Sequence, residues 1–264
     1  MTATQAEPLW IAVAGKGGAG KSTVSGTLSR ALGRLGHDVV AMDSDTMPGM
    51  CRSLGIAEPS GTRLMEAIEP VDERRWRLRK GFGPVRTVQR CTTPAPDGVR
   101  LLQLGKVDAD TDVAAFTGAA LTFHEIVGKL GESRTARRWT LIGDLPAGPR
   151  HLAAGFASYA RGALVVVEPT SQSVLAARRC ARLAREHMGR PAWYVANKVR
   201  DDAGRRRLVR MLGEEPVAWI PHDPVVAAAE RDGLAAITAA AGSPAVATIE
   251  RLAADLDRRR LAGL

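Results

Sequence analysis

The residues best suited to chemistry lie in one glycine-rich segment, Gly15-Lys16-Gly17-Gly18-Ala19-Gly20-Lys21-Ser22-Thr23. It satisfies the pattern GxxxxGK[ST]. Glycines let successive backbone N–H groups turn inward around phosphate oxygens without a Cβ clash. A helix that follows presents its positive N-terminal end to the same anion. Lys21 then bridges the β- and γ-phosphates of a nucleotide, and the Ser22 hydroxyl ligates Mg²⁺. Gly15, Gly17, Gly18, Ala19, Gly20, Lys21, Ser22 and Thr23 are therefore expected to bind nucleotide. The alternative, a plain glycine-rich turn, is disfavoured because an apolar run precedes the loop and a helical pattern follows it.

Carboxylates end two other apolar runs, as Asp43-Ser44-Asp45 and as Asp144-Leu145-Pro146-Ala147-Gly148. In open α/β sheets ligands sit at the carboxyl ends of the strands, so these groups belong with the loop. Asp144 is expected to hold Mg²⁺ through water. Gly148 lets the backbone approach a γ-phosphate and respond to its loss. Asp43 reads as a further Mg²⁺ contact or an anchor for the following loop; a helix cap is the other reading. Asn197-Lys198 closes a later run, and the fourth position is Arg200 rather than the aspartate that reads guanine, so Asn197 fits adenine. His151 reads either as a base or, with more weight, as a helix residue touching the loop after Asp144.

Lys16 is not needed by a plain phosphate loop. With Gly17 and Gly18 it resembles the deviant Walker A ATPases, the class of MinD, ParA, the nitrogenase iron protein and CooC. The resemblance spans about residues 9–231. It implies a three-layer P-loop NTPase fold and an ATP-dependent homodimer in which Lys16 reaches the partner's phosphates. It also implies that Lys16, Lys21 and Asp45 are catalytic, with Asp45 orienting water. Ser22, Asp144 and Asp43 serve Mg²⁺, and ATP and ADP are the ligands. Pro221-His222-Asp223 resembles the loop that covers adenine in this class. The string from Asp144 to Gly155 (DLPAGPRHLAAG), Val165–Thr170 and Val99–Val107 resemble the CooC branch specifically. That branch carries a CxC metal pair, whereas Asp108–Phe123 contains no cysteine. Asp108, Asp110, Asp112 and His124 are the harder ligands left there, and a solvated acidic loop is the favoured reading. The implied role is an accessory ATPase that matures or remodels a metalloenzyme or other client protein. The alternative is a ParA- or MinD-type positioning ATPase acting on DNA or membrane.

The elements that must hold these residues are short apolar runs alternating with helical patterns. Runs at 9–14, 39–42, 101–104, 139–145, 163–168, 192–197 and 217–220 are apolar throughout, as in a parallel sheet covered on both faces. Helical periods span 20–36, 113–130, 172–187, 224–231 and 244–260. The fold class is α/β with a mostly parallel central sheet, in one domain over 1–264. Residues 57–98 read as an irregular insertion with a small hairpin, and 1–8 as a frayed tail.

Composition agrees with a globular chain, with 25% charged and 45% hydrophobic residues among 264. No apolar run approaches the roughly 20 residues of a membrane span. The opening MTATQAEP lacks the basic and apolar regions of a signal peptide. The three cysteines form no metal-binding pair and suit a reducing, cytoplasmic compartment. The net charge of +9 rests on arginine, clustered at 74–90, 134–138, 205–210 and 258–260. DNA binding through these clusters is disfavoured against solvated faces. The last helical pattern has an apolar stripe, which packing on a sheet explains without a membrane.

Overall fold

The computed structural model describes residues 8–45, 49–57, 64–72, 76–104 and 113–262. In chain order the main elements begin with β1 (Trp10–Gly15), α1 (Lys21–Arg34), β2 (Val39–Asp43) and α2 (Met50–Leu54). A hairpin follows, β3 (Ile68–Pro70) and β4 (Trp76–Leu78), then α3 (Pro84–Cys91), β5 (Thr92–Pro94) and β6 (Arg100–Gln103). The middle holds α4 (Val113–Glu132), β7 (Thr140–Asp144), α5 (Arg150–Ala153), β8 (Gly162–Val167) and α6 (Ser171–Arg182). The last part holds β9 (Ala192–Val199), α7 (Asp202–Leu212), β10 (Ala218–Pro221), α8 (Pro224–Arg231), α9 (Ala236–Ala239) and α10 (Pro244–Ala262).

Eight strands form one sheet in the order β10-β9-β8-β1-β7-β2-β6-β5. All neighbours run parallel except β5, which pairs antiparallel with β6. Strands uniformly apolar in sequence must be covered on both faces. Along β1, Trp10, Ala12 and Ala14 enter one core layer, while Ile11 and Val13 enter the other. Helices α4 and α6 supply the first layer; α1 and α10 supply the second. The α10 stripe of Val246, Ile249, Leu252, Ala253 and Leu256 is buried in that layer, so packing accounts for it. Among the described residues no helix is long and apolar enough to cross a membrane.

Three expectations need correction. Residues 57–98 are not an irregular insertion throughout: α3 packs on the core and β5 extends the main sheet. The expected hairpin is β3–β4, and its Trp76 lies so close to α4 that a Cβ on Gly118 would fall 2.2 Å from the indole. Helix α7 was read only as a basic cluster, yet it buries Leu208 and Leu212. Of the tail expected at 1–8, residues 1–7 lie outside the described residues and Pro8 is buried. Asp108, Asp110 and Asp112 also lie outside them.

Much of the positive charge is used locally. Arg161 lies over the Trp10 ring, Arg138 and Arg100 over Trp139, and Arg205 over Trp219. A cation over an aromatic face is worth about 0.5–1 kcal/mol at exposed sites. Buried Arg30 pairs with Asp97 at 2.7 Å, tying α1 to the turn before β6.

Candidate functional site

The strand order reverses at β1. The chain goes from β1 through α1 to β2 on one side, and later strands β8, β9 and β10 build the other side. The crevice at the carboxyl end of such a strand is where open α/β sheets bind ligands. There the chain leaves β1 at Gly15 and enters α1 at Lys21, so residues 16–20 form the loop.

Gly20 caps α1 in the left-handed region at φ 90°. A Cβ there would sit 2.3 Å from the Asn197 side-chain nitrogen, so only glycine fits. Among the described residues no side chain caps α1, which leaves its first N–H groups for an anion. Lys21 is buried, and its Nζ rests 3.4 Å from the Lys16 carbonyl. Lys16 is half-buried, and among the described residues its Nζ reaches only the neighbouring Gly17 carbonyl, at 3.5 Å.

Register brings the carboxylates together. Strands β2 and β7 pair so that Asp43 stands directly beside Asp144. Both are buried. Asp43 accepts the backbone N–H groups of Asp45 and Met50, each at 3.0 Å, and so anchors the chain on either side of residues 46–48. Ser22 donates to Asp144 Oδ2 at 2.5 Å. Among the described residues Asp144 Oδ1 is buried without a hydrogen-bond partner. Burial, then the Asp43 charge, push the Asp144 carboxyl up to about 7, against the pull of Ser22 and Lys21. Burial pushes Asp43 up to about 6. Two buried carboxylates beside a serine hydroxyl, one oxygen orphaned, form a donor set of hard oxygens that suits Mg²⁺. Ser22 and Asp144 would hold it, with Asp43 behind them.

The loop after β7 crosses the same crevice. Gly148 adopts φ 85°, and its N–H donates to the Gly15 carbonyl at 2.9 Å, tying the two loops together. His151 follows on α5, edge-on to Phe156 with ring centroids 5.0 Å apart. Burial lowers its pKa despite the opposing Asp45 charge. His124 also lies against Phe156, with ring centroids 4.8 Å apart and the rings tilted by 33°. Among the described residues no group of three or more His, Cys, Asp or Glu could hold a metal ion, and all three cysteines are buried and outside any disulfide.

Beside the loop, at the ends of β9 and β10, opens a cleft of about 850 Å³ lined by Asn197, Lys198, Arg200, Pro221, His222 and Asp223, with Thr23 at its phosphate side. This is room for a base and ribose. The Thr23 hydroxyl donates to Glu230 of α8. Buried Asn197 gives one amide proton to the Ala19 carbonyl at 2.8 Å and accepts the Lys198 N–H. Its second amide proton is the part available to a base. Asp223 caps α8 through Val225 at 3.0 Å and holds Ala245 at 3.3 Å. Burial would raise its pKa, but the bonds from Ser243, Ala245, Val225 and Val226 hold it below the usual value. Its carboxylate is therefore occupied by these backbone and side-chain donors. Lys198, which in sequence only closes a strand beside Asn197, contacts the phosphate loop directly. Its partner lies far away in sequence, at Gly18.

The fold and site together define a phosphate-loop nucleotide-binding protein of the three-layer α/β type. The chain belongs to the CobQ/CobB/MinD/ParA nucleotide binding domain family, whose model matches residues 10–236. It is 29% identical over 246 residues to the carbon monoxide dehydrogenase accessory protein CooC of Rhodospirillum rubrum, covering 85% of this chain and 88% of that protein. Among solved structures it is similar to the septum site-determining protein MinD of Pyrococcus horikoshii, complexed with Mg-ADP. The TM-score there is 0.73 at 20% identity, over 97% of this chain and 98% of that one. A ParA family ATPase from Chlorobium tepidum matches with a TM-score of 0.71 at 16% identity, over 94% and 98%.

Proposed function

We propose that this protein is a Mg²⁺-dependent ATPase working as an ATP-driven dimeric switch, an accessory factor that remodels or matures a client protein in the manner implied by its likeness to CooC. The observation that carries the reading is the pairing of a two-lysine phosphate loop with the buried Ser22–Asp144–Asp43 cluster, whose orphaned oxygen calls for a cation. Loop amides and Lys21 bind the phosphates and neutralise charge as the terminal bond loosens. Bound Mg²⁺ adds electrostatic stabilisation of that charge. Asp45 orients the attacking water, and Lys16, which among the described residues makes only a 3.5 Å contact to Gly17, is supplied to the partner's site on closure. Gly148 links release of phosphate to movement of the loop carrying His151.

ATP is preferred to GTP because the nearby carboxylates are engaged. Glu168 holds Lys198 at 2.9 Å and Asp201 caps α7 through Gly204 at 2.7 Å. A guanine amino group would need one of them free. The test is phosphate release by the purified protein with Mg²⁺ and either ATP or GTP. The reading expects slow, Mg²⁺-dependent ATP hydrolysis and little GTP hydrolysis. Absence of ATP hydrolysis alone and with client extract would refute it. ATP-dependent, salt-sensitive binding to duplex DNA would instead favour a ParA-type positioning role.

A further inference from the structure

The end of β9 is built in a way that helix caps and core packing do not require. Lys198 has φ 56°, the left-handed region that L-residues avoid; among the described residues only it and Asp97 do so without being glycine. Such a conformation persists only where surrounding bonds over-determine it. Lys198 has such bonds. Its N–H donates to the Asn197 carboxamide oxygen at 2.9 Å. Its Nζ donates to the Gly18 carbonyl at 2.7 Å and pairs with Glu168 at 2.9 Å. The preceding side chain, Asn197, holds the next loop carbonyl, Ala19, at 2.8 Å.

Two consecutive residues of β9 thus hold two consecutive carbonyls of the phosphate loop. In a trans peptide the N–H points away from its carbonyl, so holding these two carbonyls fixes the next two N–H groups. That of Ala19 turns back to the Lys16 carbonyl at 3.3 Å and closes the loop, and that of Gly20 is turned to the side opposite Asn197, where phosphate would go. Glu168 in turn is fixed beyond the end of β8, its N–H donating to Ser173 Oγ at 3.0 Å. The chain of contacts runs from β8 through Lys198 to the loop.

We infer that Lys198 is a positioning residue: its ammonium, braced by Glu168, pre-shapes the phosphate loop for nucleotide. This rests on the nucleotide-binding reading above. Without the brace the loop must be ordered when the ligand arrives, and that cost appears in affinity. It touches no reacting atom in this account, so the effect falls on binding more than on turnover.

Lys198→Gly is the informative variant, because glycine adopts the observed φ without strain while the ammonium is removed. Binding of a fluorescent ATP analogue with Mg²⁺ is measured alongside steady-state hydrolysis and thermal unfolding. Loss of one charge-assisted hydrogen bond predicts nucleotide affinity weakened roughly 10- to 100-fold. KM should rise accordingly, kcat should change less than about threefold, and the ligand-free melting temperature should hold or rise. Lys198→Arg, which keeps a cation in reach of both partners, is expected to recover much of the affinity. Glu168→Gln should weaken binding in the wild-type background and have little effect beside Lys198→Gly. Affinity of Lys198→Gly within about twofold of wild type would overturn the inference while leaving nucleotide binding intact. So would a fall in kcat with KM unchanged. Failure of the wild-type protein to bind the analogue would overturn the nucleotide reading and this inference with it.

Discussion

Replacing Asp144 by Asn separates the cost of a buried charge from its use. Asp144 is 2% exposed and in register with Asp43, and burial followed by the Asp43 charge raises its carboxyl to about 7. In the unfolded chain it returns to about 4. Above the unfolded value the folded state holds a proton that the unfolded state has lost. Stability without ligand therefore falls as pH rises through about 7. From about pH 6 to about pH 8 the loss is one pKa unit's worth, about 1.4 kcal/mol. For a chain of this size that is roughly 3–6 °C in melting temperature. Asparagine keeps an acceptor for Ser22 and carries no charge, so the variant should lose this part of the pH dependence. Relief of Asp43, itself raised to about 6, acts in the same direction. Thermal unfolding across this pH range, without ligand, should show the variant gaining on wild type toward high pH. Adding Mg²⁺ with an ATP analogue should reverse the order, stabilising wild type and not the variant. Parallel pH profiles, or equal stabilisation by Mg²⁺-nucleotide, would refute the assignment of a cation-seeking carboxylate pair.

Gly20→Ala places a Cβ 2.3 Å from the Asn197 amide at φ 90°. The backbone strain costs roughly 1–2 kcal/mol, and nucleotide titration should show lower affinity together with a lower melting temperature. His37, held by Thr140 at 2.8 Å and Asp257 at 3.0 Å, has its pKa lowered from 6.5 by burial, partly offset by Asp257. Its folded pKa lies below its unfolded one, so its share of stability is present above about 6.5 and is lost as pH falls through the folded value. Unfolding scans from neutral toward acid pH should show that loss in wild type and much less of it in His37→Gln. Lys16→Ala is expected to keep most nucleotide affinity while losing hydrolysis, measured by binding and phosphate release on the same preparation.

The sequence displayed the parallel sheet because its central strands are apolar on both faces, as Leu164–Val167 are, and such runs have few other homes. Strand β5 escaped notice because it is three residues long at the sheet edge and ends at Pro94. Helix α7 was hidden because Arg205, Arg206 and Arg207 precede the one apolar pair that anchors it. The phosphate loop was legible because its chemistry is local: nine adjacent residues carry it. The adjacency of Asp43 and Asp144 was not, since it depends on strand register across 101 positions. The hold of Asn197 and Lys198 on Ala19 and Gly18 spans 178 and 180 positions, and no local pattern encodes it. Asp223 shows the converse. A residue that fits the base pocket by motif turns out to spend its carboxylate on two helix starts.

The central claim is that ATP closes two copies of this chain around their phosphate loops. Light scattering on the purified protein with Mg²⁺ tests it most directly, comparing ATP or a slowly hydrolysed analogue with ADP. The account predicts a dimer with ATP or the analogue, a monomer with ADP, and a monomer throughout for Lys16→Ala. A wild-type mass that stays the same in all nucleotide states, or a Lys16→Ala protein that still dimerises with ATP, would contradict it.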